Sequence, residues 1–115
     1  MTLHQFANCI YKGVYEEKQI LPEIWVKSSL SKQIALPKRE NEFYGYLLWN
    51  KKYSVNDNEI EAYYASGNGG NKIMIFNDIG VVVVITATAY GQPYMHQQAD
   101  EIIENYIIPS ILGNE

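Results

Sequence analysis

YYASGNGGNKIMIF, residues 63–76, sets three glycines and two asparagines between two stretches that read as strand. Glycine weakens a strand interior, so such a run marks either a turn or a place where the backbone comes close to something. On either side the pattern is β-like. Ile60 to Ala65 is rich in aromatic and aliphatic residues, Lys72 to Phe76 forms a second strand, and Val81 to Thr88 a third, joined through NDIG as a tight turn. The run VVVVI has no polar alternation, which predicts a strand covered on both faces.

Upstream, Phe43 to Trp49 predicts a further strand, paired with Ile60–Ala65 through a long loop that holds Asn56, Asp57 and Asn58. The chain begins with a helix instead. Thr2 and Gln5 have capping-box spacing, Leu3, Phe6, Ala7, Ile10 and Val14 form one apolar face, and Gly13 ends it. A second short helix starts near Pro22 and carries Ile24, Trp25 and Leu30. Residues 31–41 are polar, contain Pro37 and read as a surface loop. At the other end Met95, Ala99, Ile102, Ile103, Tyr106 and Ile107 make a helical stripe that Pro109 should end or kink. The expected order is two helices, four antiparallel strands and one helix, an α+β fold in one unit over residues 1–115.

Composition narrows the function classes. With 115 residues, 47% of them hydrophobic, the chain can bury one core. A net charge of −4 with dispersed acids offers no footprint for nucleic acid. Cys9 is the only cysteine, so neither an internal disulfide nor a Cys-based metal site is expected, and it reads as a small buried hydrophobe. Neither His4 nor His96 has the spacing of a zinc motif, and no metal or other cofactor is expected. The N-terminus lacks the basic start and apolar run of a signal peptide, and Ile79–Ile85, the longest apolar run, is too short to span a bilayer. Asp100, Glu101 and Glu104 read as the solvated face of the last helix.

Three stretches together resemble the C-terminal part of the serine β-lactamase-like hydrolases, which include penicillin-binding proteins, class C β-lactamases and related esterases. MTLHQFANCIYKGVYEEKQILPEIWV, residues 1–26, is similar to that family's helix followed by K-Q-I-L-P-x-x-W-V. FYGYLLW, residues 43–49, is similar to its YGYGWW strand, and residues 63–87 to its ASGHGGQ segment with the two strands that follow. The resemblance implies an antiparallel sheet with N- and C-terminal helices on one face. It also implies acyl transfer through a serine in S-x-x-K, helped by a Y-x-N tyrosine and by a third motif of the K-T-G, H-T-G or H-G-G type. Asn68 would occupy the Lys or His position of that third motif, with Gly69 and Gly70 after it as substrate-binding residues. The backbone N–H of Asn71, or of Gly70 in the neighbouring register, would supply half of an oxyanion hole. Such a donor is worth about 3–4 kcal/mol in a complete site.

The other two motifs are not matched in the same way. No tyrosine is followed two residues later by asparagine. Ser29-Leu30-Ser31-Lys32 has the letters of S-x-x-K, but it follows the W-V helix, whereas the family's nucleophile lies far upstream of it. Asn68 also carries no positive charge with which to hold a substrate carboxylate. The resemblance therefore implies a part that needs the catalytic half of the same family domain as its partner. It further implies apolar sheet surface that favours self-association. A stand-alone, non-catalytic binding or assembly domain is the alternative.

Overall fold

The computed structural model describes residues 2–37 and 42–113. The expected loop over 31–41 therefore lies partly outside the described residues.

Helix α1 (Leu3–Lys12) starts at the capping box read from the sequence. Thr2 Oγ1 accepts the Gln5 N–H at 3.1 Å, and Gln5 Oε1 accepts the Thr2 N–H at 2.8 Å. Gly13 ends the helix with φ +73°, a conformation glycine adopts without a Cβ penalty. A small hairpin follows, β1 (Val14–Tyr15) with β2 (Lys18–Gln19), and then α2 (Glu23–Ser29) with Pro22 as its N-cap.

The rest is a meander. Strands β3 (Ile34–Ala35), β4 (Glu42–Gly45), β5 (Leu48–Val55), β6 (Asn58–Gly67), β7 (Asn71–Phe76) and β8 (Val81–Ile85) form one six-stranded sheet in chain order. Every neighbouring pair is antiparallel. The expectation of four strands is corrected here to six, since β3 adds one and the expected strand over 43–49 divides into two. Residues 43–49 do not run straight: the chain reverses at Tyr46 and Leu47, both with φ near +60°, and β5 continues through what read as loop. The edge of Tyr46 packs on Trp25 of α2 at 5.8 Å between centroids, so packing holds a turn that lacks the usual residues. The true β5–β6 turn is only Asn56-Asp57, again left-handed at both positions, which suits a two-residue hairpin.

Alternation along the strands divides the core in two. Tyr53, Ile60, Ala62, Tyr64, Met74 and Phe76 are buried with Ile103 and Ile108 of the C-terminal helices. Leu30, Tyr63 and Ile75 are buried on the other side, against Ile10 and Tyr11 of α1 and Val26 of α2. The N- and C-terminal helices therefore lie on opposite faces of the sheet, not on one face as the family resemblance implied. The parity of β7 decides it, since Met74 and Phe76 point to one helix layer and Ile75 to the other. β8 ends at Ile85, short of the expected Thr88, and is covered only in part on each face: Val81, Val83 and Ile85 pack toward the C-terminal helices and Val82 toward α1, all half-buried.

The last helix is α3 (Met95–Ile102), a π-helical turn (Ile103–Ile107) and α4 (Ile108–Ile111). Ile108 donates its N–H to the Ile103 carbonyl. This widened turn sits where the Pro109 ring would otherwise strike the carbonyl four residues back. Among the described residues no helix is long and apolar enough to cross a membrane.

Candidate functional site

Gly67 pairs with Asn71 as the last rung of the β6–β7 ladder, and Asn68, Gly69 and Gly70 close the hairpin. Gly69 and Gly70 have φ of +89° and +90°. A Cβ on Gly70 would lie 2.6 Å from the Met95 carbonyl oxygen, and one on Gly69 would lie 2.8 Å from the Tyr90 ring. The turn thus answers both halves of the question that the glycines raise. They reverse the chain, and they let it come close to residues 86–95.

That second segment is tied down by the asparagines. Asn71 Oδ1 accepts the Ala87 N–H at 3.0 Å, and Asn68 Oδ1 accepts the Gly91 N–H at 3.1 Å. Asn71 Nδ2 donates to the Asn68 carbonyl at 2.7 Å, which braces the turn from within. The Gly69 carbonyl accepts the Ala89 N–H at 3.2 Å, and the Gly69 N–H points to the Met95 sulfur at 3.3 Å. The four residues singled out from sequence stand together, with Asn68 exposed, Gly69 and Gly70 buried and Asn71 half-buried. Of the four, Asn71 borders an apolar groove of about 340 Å³, which Leu3, Ala65, Gly67, Ile73 and Ile85 also line.

Ser29 and Lys32 are not assembled for nucleophilic attack. Ser29 is 1% exposed at the end of α2, and its hydroxyl donates to the Val26 carbonyl at 2.9 Å. Lys32 instead pairs with Glu61 at 3.1 Å. The sequence also gave no sign of a second polar group beside the hairpin, where Ser66 and Lys72 meet His96 of α3. Ser66 and Lys72 are cross-strand partners, and His96 is thirty positions beyond Ser66, so only the register brings the three together. Asp100, expected on a solvated face, is half-buried and reaches Lys51 at 3.8 Å. No family model, curated protein or solved structure matches this chain.

Proposed function

We propose that this chain is the C-terminal segment of a β-lactamase-like serine hydrolase, an acyl-transfer fold whose nucleophile comes from another segment. The supporting observation is the braced turn at Asn68–Asn71. Two glycines at positive φ end a sheet hairpin beside an apolar groove, and two asparagine side chains hold the turn rigid. An oxyanion donor needs that kind of fixed backbone, because its value depends on being in place before charge develops. In this reading the Asn71 N–H, or that of Gly70, is the donor, and Asn68 takes the third-motif position. The groove would receive the acyl group.

The surface supports a missing partner. β8 ends the sheet with five uncharged residues, Val81–Ile85, all half-buried and with one edge open. An open, uncharged edge is a ready template for another strand. Leu3, Phe6, Ile24 and Trp25 leave apolar surface on α1 and α2 exposed as well. Either the catalytic half or a second copy of this chain would cover such surface.

Alone, the chain is expected not to run the family's reaction, since Ser29 is buried and its hydroxyl is engaged. The test is to assay a cephalosporin and an activated ester with the isolated chain and with Ser29→Ala. Turnover that disappears with Ser29 would overturn the reading. The genomic sequence upstream of Met1 gives an independent check: an in-frame S-x-x-K and Y-x-N supports it, and a nearby stop codon favours a free-standing binding domain.

A further inference from the structure

The geometry points to Ser66, Lys72 and His96 as a nucleophilic site that takes an acyl group from a reactive carboxylic ester. It does not depend on the function proposed above, which uses Asn68–Asn71 and expects nothing of Ser66.

Three observations carry it. The β6–β7 register sets Ser66 opposite Lys72, so both side chains leave the same face of the sheet, the one covered by the C-terminal helices. Lys72 Nζ donates to Ser66 Oγ at 3.1 Å, and His96 Nδ1 lies 3.5 Å from the same oxygen. With the imidazole proton on Nε2, Nδ1 accepts the serine hydroxyl, and the hydroxyl is polarised from both sides. Third, burial and access are divided in the way a nucleophile needs. Lys72 is 5% exposed, while Ser66 and His96 are exposed to solvent.

The lysine is an unusual thing to bury here. Among the described residues no carboxylate pairs with its ammonium. Asp100 contacts Lys51 and acts on Lys72 only from farther off, as an opposing charge, while Lys72 has the Tyr64 ring at 4.9 Å together with the Ser66 hydroxyl. Desolvation holds its pKa below the ordinary lysine value. A cation in that position gains most when the oxygen beside it becomes negative, which is what happens as a serine attacks. Next to the three groups is a cavity of about 400 Å³, also lined by Glu42, Trp49, Lys51, Tyr64 and Asp100, with room for a small acyl group.

The step balances without an oxidant or metal. The Ser66 O–H bond breaks and its proton passes to His96 Nδ1 as Oγ bonds to the ester carbonyl carbon. The tetrahedral adduct collapses, the bond to the leaving oxygen breaks, and the electron pair leaves with that oxygen. An alkoxide takes the proton from His96, whereas an acidic phenol leaves as phenolate and His96 gives its proton to solvent water. The product is an acyl ester on Ser66.

The experiment uses p-nitrophenyl acetate with the intact chain, following p-nitrophenolate release and mapping the acetyl group by mass spectrometry. The expected result is a burst near one equivalent, with the acetyl group on Ser66. Ser66→Ala abolishes the burst, and His96→Gln slows it about a hundredfold, the usual share of a general base. Lys72→Met slows it as well while Lys72→Arg retains part of the rate, a split that a purely structural lysine would not give. Circular dichroism confirms that each variant is folded. Acetylation found only on lysines or the amino terminus, or a burst unchanged in Ser66→Ala, overturns the assignment. Ser29→Ala separates the two proposals, since loss of label there would sink the earlier reading and loss at Ser66 supports this one.

Discussion

The two faces of the sheet are built to different standards. Under the C-terminal helices eight buried residues form one continuous cluster, from Tyr53 and Ile60 across Met74 and Phe76 to Ile103 and Ile108. Under α1 and α2 the buried cluster among the described residues is smaller, Leu30, Tyr63 and Ile75 with half-covered residues around it, and Ala7, Cys9 and Ser29 of the helices themselves are buried as well. Leu3 and Phe6 of α1 and Ile24 and Trp25 of α2 stay at least two-fifths exposed. The first face buries the larger cluster, and the second leaves more apolar surface exposed. Burial scales with apolar area, so the difference should be visible in energies.

The sharpest test removes one large side chain from each face. Phe76 is fully buried, and Phe76→Ala should cost about 3–5 kcal/mol in chemical denaturation, whereas Leu30→Ala should cost about 2 kcal/mol because its thinner layer can close up. Equal losses would break the comparison. Next is the turn that locks the β6–β7 hairpin to residues 86–95. Gly70→Ala combines a positive φ with a clash against the Met95 carbonyl and should cost about 1–3 kcal/mol. Gly91→Ala, at φ +68° but with nothing within 4 Å, should cost less, leaving only the backbone cost of about 1 kcal/mol.

Smaller effects refine the picture. Among the described residues no group hydrogen-bonds the buried Tyr53 Oη, so Tyr53→Phe should stabilise the thick face by about 1 kcal/mol. Thr2→Ala should loosen the thin one by about 1 kcal/mol through the lost cap of α1, read from thermal unfolding. The smallest effect is a pH dependence with opposite signs. Lys72 has a lowered pKa in the folded chain, so the unfolded chain binds more protons and stability rises with pH toward the ordinary lysine value. Burial raises the Tyr63 phenol to about 12 and Tyr53 beyond the ordinary phenol range, so above about pH 10 the unfolded tyrosines ionise first and stability falls. Urea midpoints measured across this range should rise and then drop, and Lys72→Met should flatten the rise.

Much of the fold could be read from residues whose signal is local. The capping box at Thr2 and Gln5, the glycine stop at Gly13, the strands β7 and β8 and the NDIG turn all follow from chemistry within a few positions. The Tyr46-Leu47 turn could not be read, because neither residue favours a left-handed backbone and tertiary packing against Trp25 accompanies it. β3 was missed for its length, two residues being too few to show a period. The π-helical turn escaped because it answers a clash at Pro109, which sequence marks only as a break. The site divides in the same way. Asn68–Asn71 could be singled out because glycines and asparagines cluster along the chain. Ser66, Lys72 and His96 could not, because their proximity comes from strand register and the placement of α3.

The chain-order meander has a consequence in time. Each strand from β4 to β8 pairs with the strand made just before it, so every docking event closes a short loop over a template already present. Such local topologies fold fast, because little loop-closure entropy is spent before contacts repay it. A ribosome releasing this polypeptide can therefore hand over a growing sheet strand by strand. The last strand, β8, leaves one of the sheet's two edges, and the two-residue β3 leaves the other.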